Sequence, residues 1–293
     1  YDDPPGEEEV SRWLAEAGLR DFYEGEVAAS IAPSLAKNAV SATLDGNHID
    51  LAWPIAVSGQ LSINTMKDAG PALELIRHDF AHVMARAVQE LWPDVKVTIG
   101  PVRDQGWFYD FDRAEPFTPE DLGAIEARMR QIIAARDPVR TEVWDRARAV
   151  AYYEERGEPF KVELIDRIPE GQDLRMYWHG DWQDLCRGPH LPSTKLIGNG
   201  FALTRSAAAY WLGNEKNKQL QRIYGTAWAS KEDLVAYQER IKEAERRDHR
   251  RLGAELDLYS FPEEIGPGLV VFHPKGAMLR HQIEQYVVDR HQD

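Results

Sequence analysis

The sequence predicts an α+β protein from three observations: strand pairs bounded by turn residues, a long helix with a one-sided apolar stripe, and capped helices set between the strands. The first pair is NAVSATLDGNHIDL (residues 38–51), two apolar-alternating runs about the Asp45-Gly46 turn signal of a hairpin. Ahead of it a helical stretch is expected around Val27 to Ala32. From Ala72 to Leu91, the residues Leu73, Ile76, Phe80, Val83, Met84, Ala87 and Leu91 recur at helical spacing, and Trp92-Pro93 ends the run. KVTIGPV (96–102) and GWFYDFD (106–112) read as two strands joined through Arg103 to Gln105. Thr118, with Pro119 at the first helical position and Asp121 three residues on, predicts a capped helix through Ala135 that stops at Asp137-Pro138. Ser230 with Asp233 opens another, a polar rod from Lys231 to about Arg251 that suits a connector between domains. The stretch from Glu255 begins a new unit that ends in a helix.

At 293 residues and 33.4 kDa the chain is long enough for about two domains, and 43% hydrophobic with 29% charged residues is ordinary for a packed protein. No run approaches the ~18 apolar residues of a membrane span. The opening YDDPPGEEEV lacks the basic-then-apolar layout of a secretory signal, so membrane and export functions are excluded and a cytoplasmic location is expected. One cysteine permits no internal disulfide and leaves Cys186 available for metal binding or reactivity. The net charge of −14 argues against a nucleic-acid partner at first sight, yet half of it comes from residues 1–26, where nine acids face two arginines. Residues 240–251, RIKEAERRDHRR, carry six basic residues against three acids. That segment is either a phosphate-binding stripe or a solvated helix face with i,i+4 pairs such as Glu243 with Arg247.

The chemistry concentrates in two short motifs. His78 and His82, in RHDFAHVM, are four apart on the long helix and point the same way, opposite the main apolar stripe. Asp79 stands where a metalloprotease HExxH motif needs its glutamate base, so peptide hydrolysis is not supported. About a hundred residues later QDLCRGPHLP repeats the interval with Cys186 and His190, and Gly188-Pro189 turns the chain between them. Together the four could ligate a tetrahedral zinc, or form a metal-free pocket in which neutral imidazoles accept protons near pH 7. The plainer alternatives are a solvated helix face that carries two histidines and a buried, inert cysteine.

The runs RHDFAHVMARAVQELWPDVKVTIGPV, GWFYDFD, GEPFKVELI, DLCRGPHLPST, FALTRSAAAYWLGNEKNKQLQRIYGTAWAS and AERRDHRRLGAELDLYSF resemble, in order, the bacterial-type threonyl-tRNA synthetase family. The resemblance implies a TGS-like module of ubiquitin-like β-grasp fold at 1–66, with poorly matched first strands. It implies an editing (second additional) domain at 67–230, shared with alanyl-tRNA synthetases and alanyl-tRNA deacylases, and a helical connector at 231–251. Residues 252–293 then resemble the start of a class II catalytic core, carrying motif 1 in GLVVFHPKGAMLRHQIEQY. The sequence stops at Asp293, before motifs 2 and 3 and the zinc ligands that grip threonine, and starts at Tyr1 without a methionine. A piece of a longer product that does not ligate alone is therefore expected, with ATP, Mg and Zn chemistry assigned to the absent core.

Such a family needs a second site, because serine differs from threonine by one methyl, worth only ~1–3 kcal/mol of discrimination. The resemblance implies that residues 67–230 hydrolyse the ester of seryl-tRNA(Thr). It places His78, His82, Cys186 and His190 around the aminoacyl adenosine, Asp184 on the amino-acid end, Lys161 and Tyr109 at the ester, and Arg187 on the substrate. Zinc on the His78, His82, Cys186 and His190 set is an option, since the alanyl deacylases use it. The expected partners are tRNA(Thr) and its seryl form. A homodimer is expected for the full-length enzyme and mostly monomer for this portion. Two other readings are a tRNA-binding appendage with a silent pocket, where Arg187 or Arg222 grips phosphates, and a deacylase acting in trans.

Overall fold

The computed structural model describes residues 38–51 and 59–291. The stretch expected to be helical around Val27–Ala32, and most of the 1–66 module, lie outside the described residues. Residues up to Leu234 and residues from Val235 form two separate compact units.

In the first unit the predicted hairpin is present. β1 (Ala39–Leu44) and β2 (Asn47–Ile49) pair antiparallel across Asp45 and Gly46, whose φ values of 47° and 80° are the double left-handed turn that matches strand twist. β3 (Leu61–Thr65) adds on the other edge of β1, and Ala42, Ile49 and Ile63 form a small core. The long helix, α1, spans Ala69–Leu91 and ends where the Trp92 amide bonds back to the Val88 carbonyl.

A second sheet is built on β6 (Gly106–Asp112). The predicted strand KVTIGPV is in fact two short pieces, β4 (Lys96–Val97) and β5 (Val102–Arg103), both paired with β6. The break has a steric cause: Pro101 has no amide to give a ladder, and Gly100 lies so close to the Tyr109 ring that a Cβ would overlap it. α2 (Pro119–Ala135) is capped as expected, Thr118 Oγ1 accepting from the Asp121 amide at 3.1 Å and Asp121 Oδ2 from the Thr118 amide at 3.0 Å. α1 and α2 bury Phe80, Met84, Val88, Ile125 and Met129 in one core with Trp107, Phe111 and Ile223 of the sheet.

A third antiparallel sheet joins β7 (Val139–Trp144), β8 (Leu174–His179) and β9 (Trp182–Leu185) in that order. α3 (Arg146–Glu155) and α4 (Pro159–Asp166) intervene in sequence, and Trp144, Tyr153, Ile165 and Met176 pack together beneath them. β10 (Phe201–Tyr210) and β11 (Gln219–Ala227) then return to complete the second sheet in the order β10-β11-β6-β4. Among the described residues no helix is long and apolar enough to cross a membrane.

The expected rod to Arg251 is shorter than its polarity suggested. α5 spans Lys231–Arg246, and Asp248 then caps a new helix, α6 (His249–Glu255), by accepting from the Arg250 amide at 2.8 Å. The second unit continues with the pair β12 (Tyr259–Ser260) and β13 (Val271–Phe272) and ends in α7 (Pro274–His291).

Candidate active site

α1 carries His78 and His82 into the interior, which corrects the solvated-face alternative. His82 is 3% exposed and Asp79 fully buried, because the segment 186–191 covers that side of the helix while Phe80 and Met84 fill the other. His78 Nε2 lies 3.0 Å from Cys186 Sγ, and its Nδ1 lies 3.2 Å from the Pro189 carbonyl. The rings of His78 and His82 each lie 4.4 Å from that of His190. One ligand atom from each of His78, His82, Cys186 and His190 falls within 4.8 Å of all the others. The two motifs, a hundred residues apart, meet.

Beside them stands a buried polar chain. Lys161 of α4 and Asp184 of β9, each 2% exposed, form an ion pair. Tyr109 of β6 donates to Asp184 Oδ2 at 2.8 Å and accepts from Lys161 Nζ at 3.2 Å. His82 Nδ1 lies 3.8 Å from the same carboxylate.

Burial sets the protonation of these groups. It presses the His78 ring below the ordinary histidine range despite the charge of Asp79. His82 is pushed well below it, by burial first and then by the neighbouring His190 and His78 rings. At His190, burial and His78 act downward, but the Asp79 charge and hydrogen bond prevail and the ring is held up at about 9. Burial first, and then Asp184, keep Tyr109 protonated.

A cavity of about 870 Å³ opens onto this cluster, within the size range of small-molecule sites. Of the eight predicted site residues, His78, His82, Tyr109, Lys161, Asp184, Cys186 and Arg187 line it. His190, 2% exposed, stands behind the wall. Arg222, the other arginine expected to grip phosphates, has its guanidinium on both oxygens of Asp110, at 2.6 and 2.8 Å, and over the Phe108 ring. The basic run 240–251 is largely paired with acids in or beside it, Glu243 with Arg246 and Arg247, Asp248 with Arg250, and Arg251 with Glu255.

Two carboxylates that spacing did not single out hold the CxxxH loop. Asp79 accepts from His190 Nδ1 at 2.8 Å and from the Leu191 amide at 2.9 Å. Asp50, from the end of the β1–β2 hairpin, accepts from the His190 amide at 2.7 Å and from Tyr177 at 2.5 Å. The loop fits only with glycine at 188, where φ is +70° and a Cβ would overlap the Tyr177 hydroxyl. Asp79 had a local signal, lying inside the HxxxH motif itself; Asp50 had none.

Residues 174–224 match the model of the threonyl and alanyl tRNA synthetase second additional domain. The chain is 66% identical over 284 residues to a threonine–tRNA ligase of Paracoccus denitrificans, an alignment covering 95% of this chain and 44% of that protein. It is 58% identical over 287 residues to the Cereibacter sphaeroides ligase (96% and 44%) and 53% identical over 282 residues to that of Sinorhizobium fredii (95% and 42%). Its homologues are threonine–tRNA ligases. The chain spans less than half the length of these relatives, and the matched domain points to an editing domain.

Proposed function

We propose that this chain is the N-terminal part of a threonine–tRNA ligase and that its pocket hydrolyses the aminoacyl ester of seryl-tRNA(Thr), releasing serine from tRNA. The observation that carries the reading is the convergence of His78 and His82 with Cys186 and His190 beside the Lys161–Asp184–Tyr109 chain, all but His190 on the wall of one open cavity. The homologues and the domain match support it.

Ester hydrolysis needs a base for the attacking water and a donor for the oxyanion that develops on the carbonyl. Burial keeps His78 and His82 neutral at pH 7, so a ring nitrogen facing the cavity can take the proton of a water. The Lys161 ammonium, held in place by Asp184 and Tyr109, is a preorganised donor for the oxyanion. Asp184 is also the natural partner for the α-ammonium of the bound amino acid. The base carries the proton on to the ribose hydroxyl that leaves.

The residues also fit a zinc ion. His78, His82, Cys186 and His190 offer a mixed N/S set, and His190 Nε2 is a buried atom without a hydrogen-bond partner while its Nδ1 is held by Asp79, the usual support for a ligating histidine. When bound, the metal would supply Lewis-acid polarisation of the ester or of water. Threonine ligation, with ATP and Mg, is assigned to the part of the protein outside this sequence, as is the dimer.

Deacylation of seryl-tRNA and threonyl-tRNA by the purified chain tests the proposal. The expected result is release of serine at least about 10-fold faster than threonine, within what one methyl can discriminate. Equal rates, or full activity after His78→Ala with His82→Ala, overturn it. Metal analysis of the same preparation decides the zinc question.

A further inference from the structure

A second polar chain runs behind the cavity through the same elements that carry the first. Glu158, the residue before α4, is 7% exposed, and its carboxylate accepts from Gln89 Nε2 at 2.8 Å and from the Val97 amide at 3.3 Å. Gln89 Oε1 in turn accepts from the Trp182 indole at 2.8 Å. An indole N–H can only donate, so it fixes the Gln89 amide with its oxygen toward Trp182 and its nitrogen toward Glu158. None of the three side chains lines the cavity, yet each is tied by short-range geometry to a group that does. Gln89 lies seven residues after His82 on α1, two turns along one face. Trp182 lies two residues before Asp184 on β9, on the same side of the strand, and its ring stands 6.0 Å from that of His82. The Glu158 carbonyl accepts from the Lys161 amide at 3.1 Å in the first turn of α4. Val97 pairs with Phe111, two residues along β6 from Tyr109.

We propose that Glu158, Gln89 and Trp182 are positioning residues for the hydrolysis, a frame that fixes the spacing of His82, Lys161, Asp184 and Tyr109 while the substrate is bound. The inference rests on the reading above that the cavity hydrolyses the ester of seryl-tRNA. Lys161, Asp184 and Tyr109 hold one another in the free protein, and these are the bonds that the substrate disturbs. The α-ammonium of the amino acid competes with Lys161 for Asp184, and the developing oxyanion draws on the Lys161 ammonium. Bonds that change during the reaction cannot also keep the distances constant. The Glu158–Gln89–Trp182 chain touches no reacting atom, so it stays whole through the cycle. With three hydrogen bonds it reaches all four carriers of the site: α1, α4, β9 and the sheet of β6. A misplacement of about 1 Å can cost about 100-fold in rate, and that sensitivity is what the frame guards against.

Deacylation of seryl-tRNA by the purified chain and its variants, each assayed well below its unfolding temperature, tests the frame. Gln89→Leu keeps the size of the side chain and loses both bonds; it should lower kcat about 10-fold and leave KM within about 2-fold. Trp182→Phe removes only the indole N–H and should lower kcat by about 3-fold, again with KM unchanged. Gln89→Glu sets two carboxylates against each other and should resemble Gln89→Leu. Combined with Glu158→Gln it re-forms both bonds with donor and acceptor exchanged, and most of kcat should return. An unchanged kcat in Trp182→Phe and in the Gln89 variants that fold, or a double variant no faster than Gln89→Glu, overturns the frame. The functional reading fails by a different result, the absence of seryl-ester hydrolysis in the unsubstituted chain. NMR then decides the frame on its own: Gln89→Leu, or Trp182→Phe where that variant does not fold, should move the Lys161 side-chain and Tyr109 ring signals, and unmoved signals overturn it.

Discussion

The two units use the same residue types in opposite ways. Up to Leu234, charged groups are taken inside and paired over long sequence separations: Lys161 with Asp184, Asp79 with His190, Asp50 with Tyr177. From Val235 onward the ion pairs are mostly solvent-exposed and between residues a few positions apart, as Glu243 pairs with Arg246 and Arg247. The apolar residues reverse too. Phe80 is fully buried between Trp107 and Phe201, whereas Ile283 of α7 is 57% exposed and Met278 69%. A buried pair must have a fixed partner because desolvation is costly, while a surface pair is screened and replaceable. Specific chemistry is therefore expected where charges are buried.

The largest effect that would sharpen this contrast is expected from Asp184→Ala. It leaves Lys161 buried without its counterion, and urea unfolding should show a loss of about 3–5 kcal/mol together with abolished seryl-ester hydrolysis. Next comes apolar burial: Phe80→Ala should cost about 3–5 kcal/mol in the same assay, and Ile283→Ala should stay within about 0.5 kcal/mol. Comparable losses at the two positions would break the comparison.

A pH effect of intermediate size is expected at Glu158, whose buried carboxyl accepts from Gln89 at 2.8 Å and is raised to about 7 by burial, against the pull of Lys96. The folded chain then binds this proton more tightly than the unfolded one. The contribution is complete below the ordinary glutamate pKa of about 4.3 and is lost as pH rises through about 7. Unfolding midpoints should therefore fall between pH 5 and pH 8 by the equivalent of about 2–3 kcal/mol, and Glu158→Gln should flatten that dependence. The smallest effect belongs to Glu243→Gln, which should leave the unfolding midpoint unchanged at 0.15 M salt although it removes two ion pairs. A resolvable shift there would mean that the second unit depends on its surface charges.

Much of the local structure was legible because its signals act over a few residues. The Asp45-Gly46 turn and the Thr118 capping box occur as their chemistry demands, and α1 follows its apolar stripe. The break at Gly100-Pro101 and the helix end before Asp248 were local as well, but they competed with longer strand and helix patterns. The sheet of β7, β8 and β9 was not read from pattern, because its strands mix apolar and polar residues and two helices separate β7 from β8.

By itself the sequence determined that His78 and His82 share a helix face and that Cys186 and His190 flank a tight turn. Only the tertiary structure decided that the two pairs meet, that Lys161 and Asp184 lie within the protein, and that Asp50 reaches the loop at all. The division has a physical reason. Side-chain spacing and cap chemistry act within a turn or two of the chain, whereas burial, and the pairing that burial compels, exist only once segments more than a hundred residues apart have been packed together.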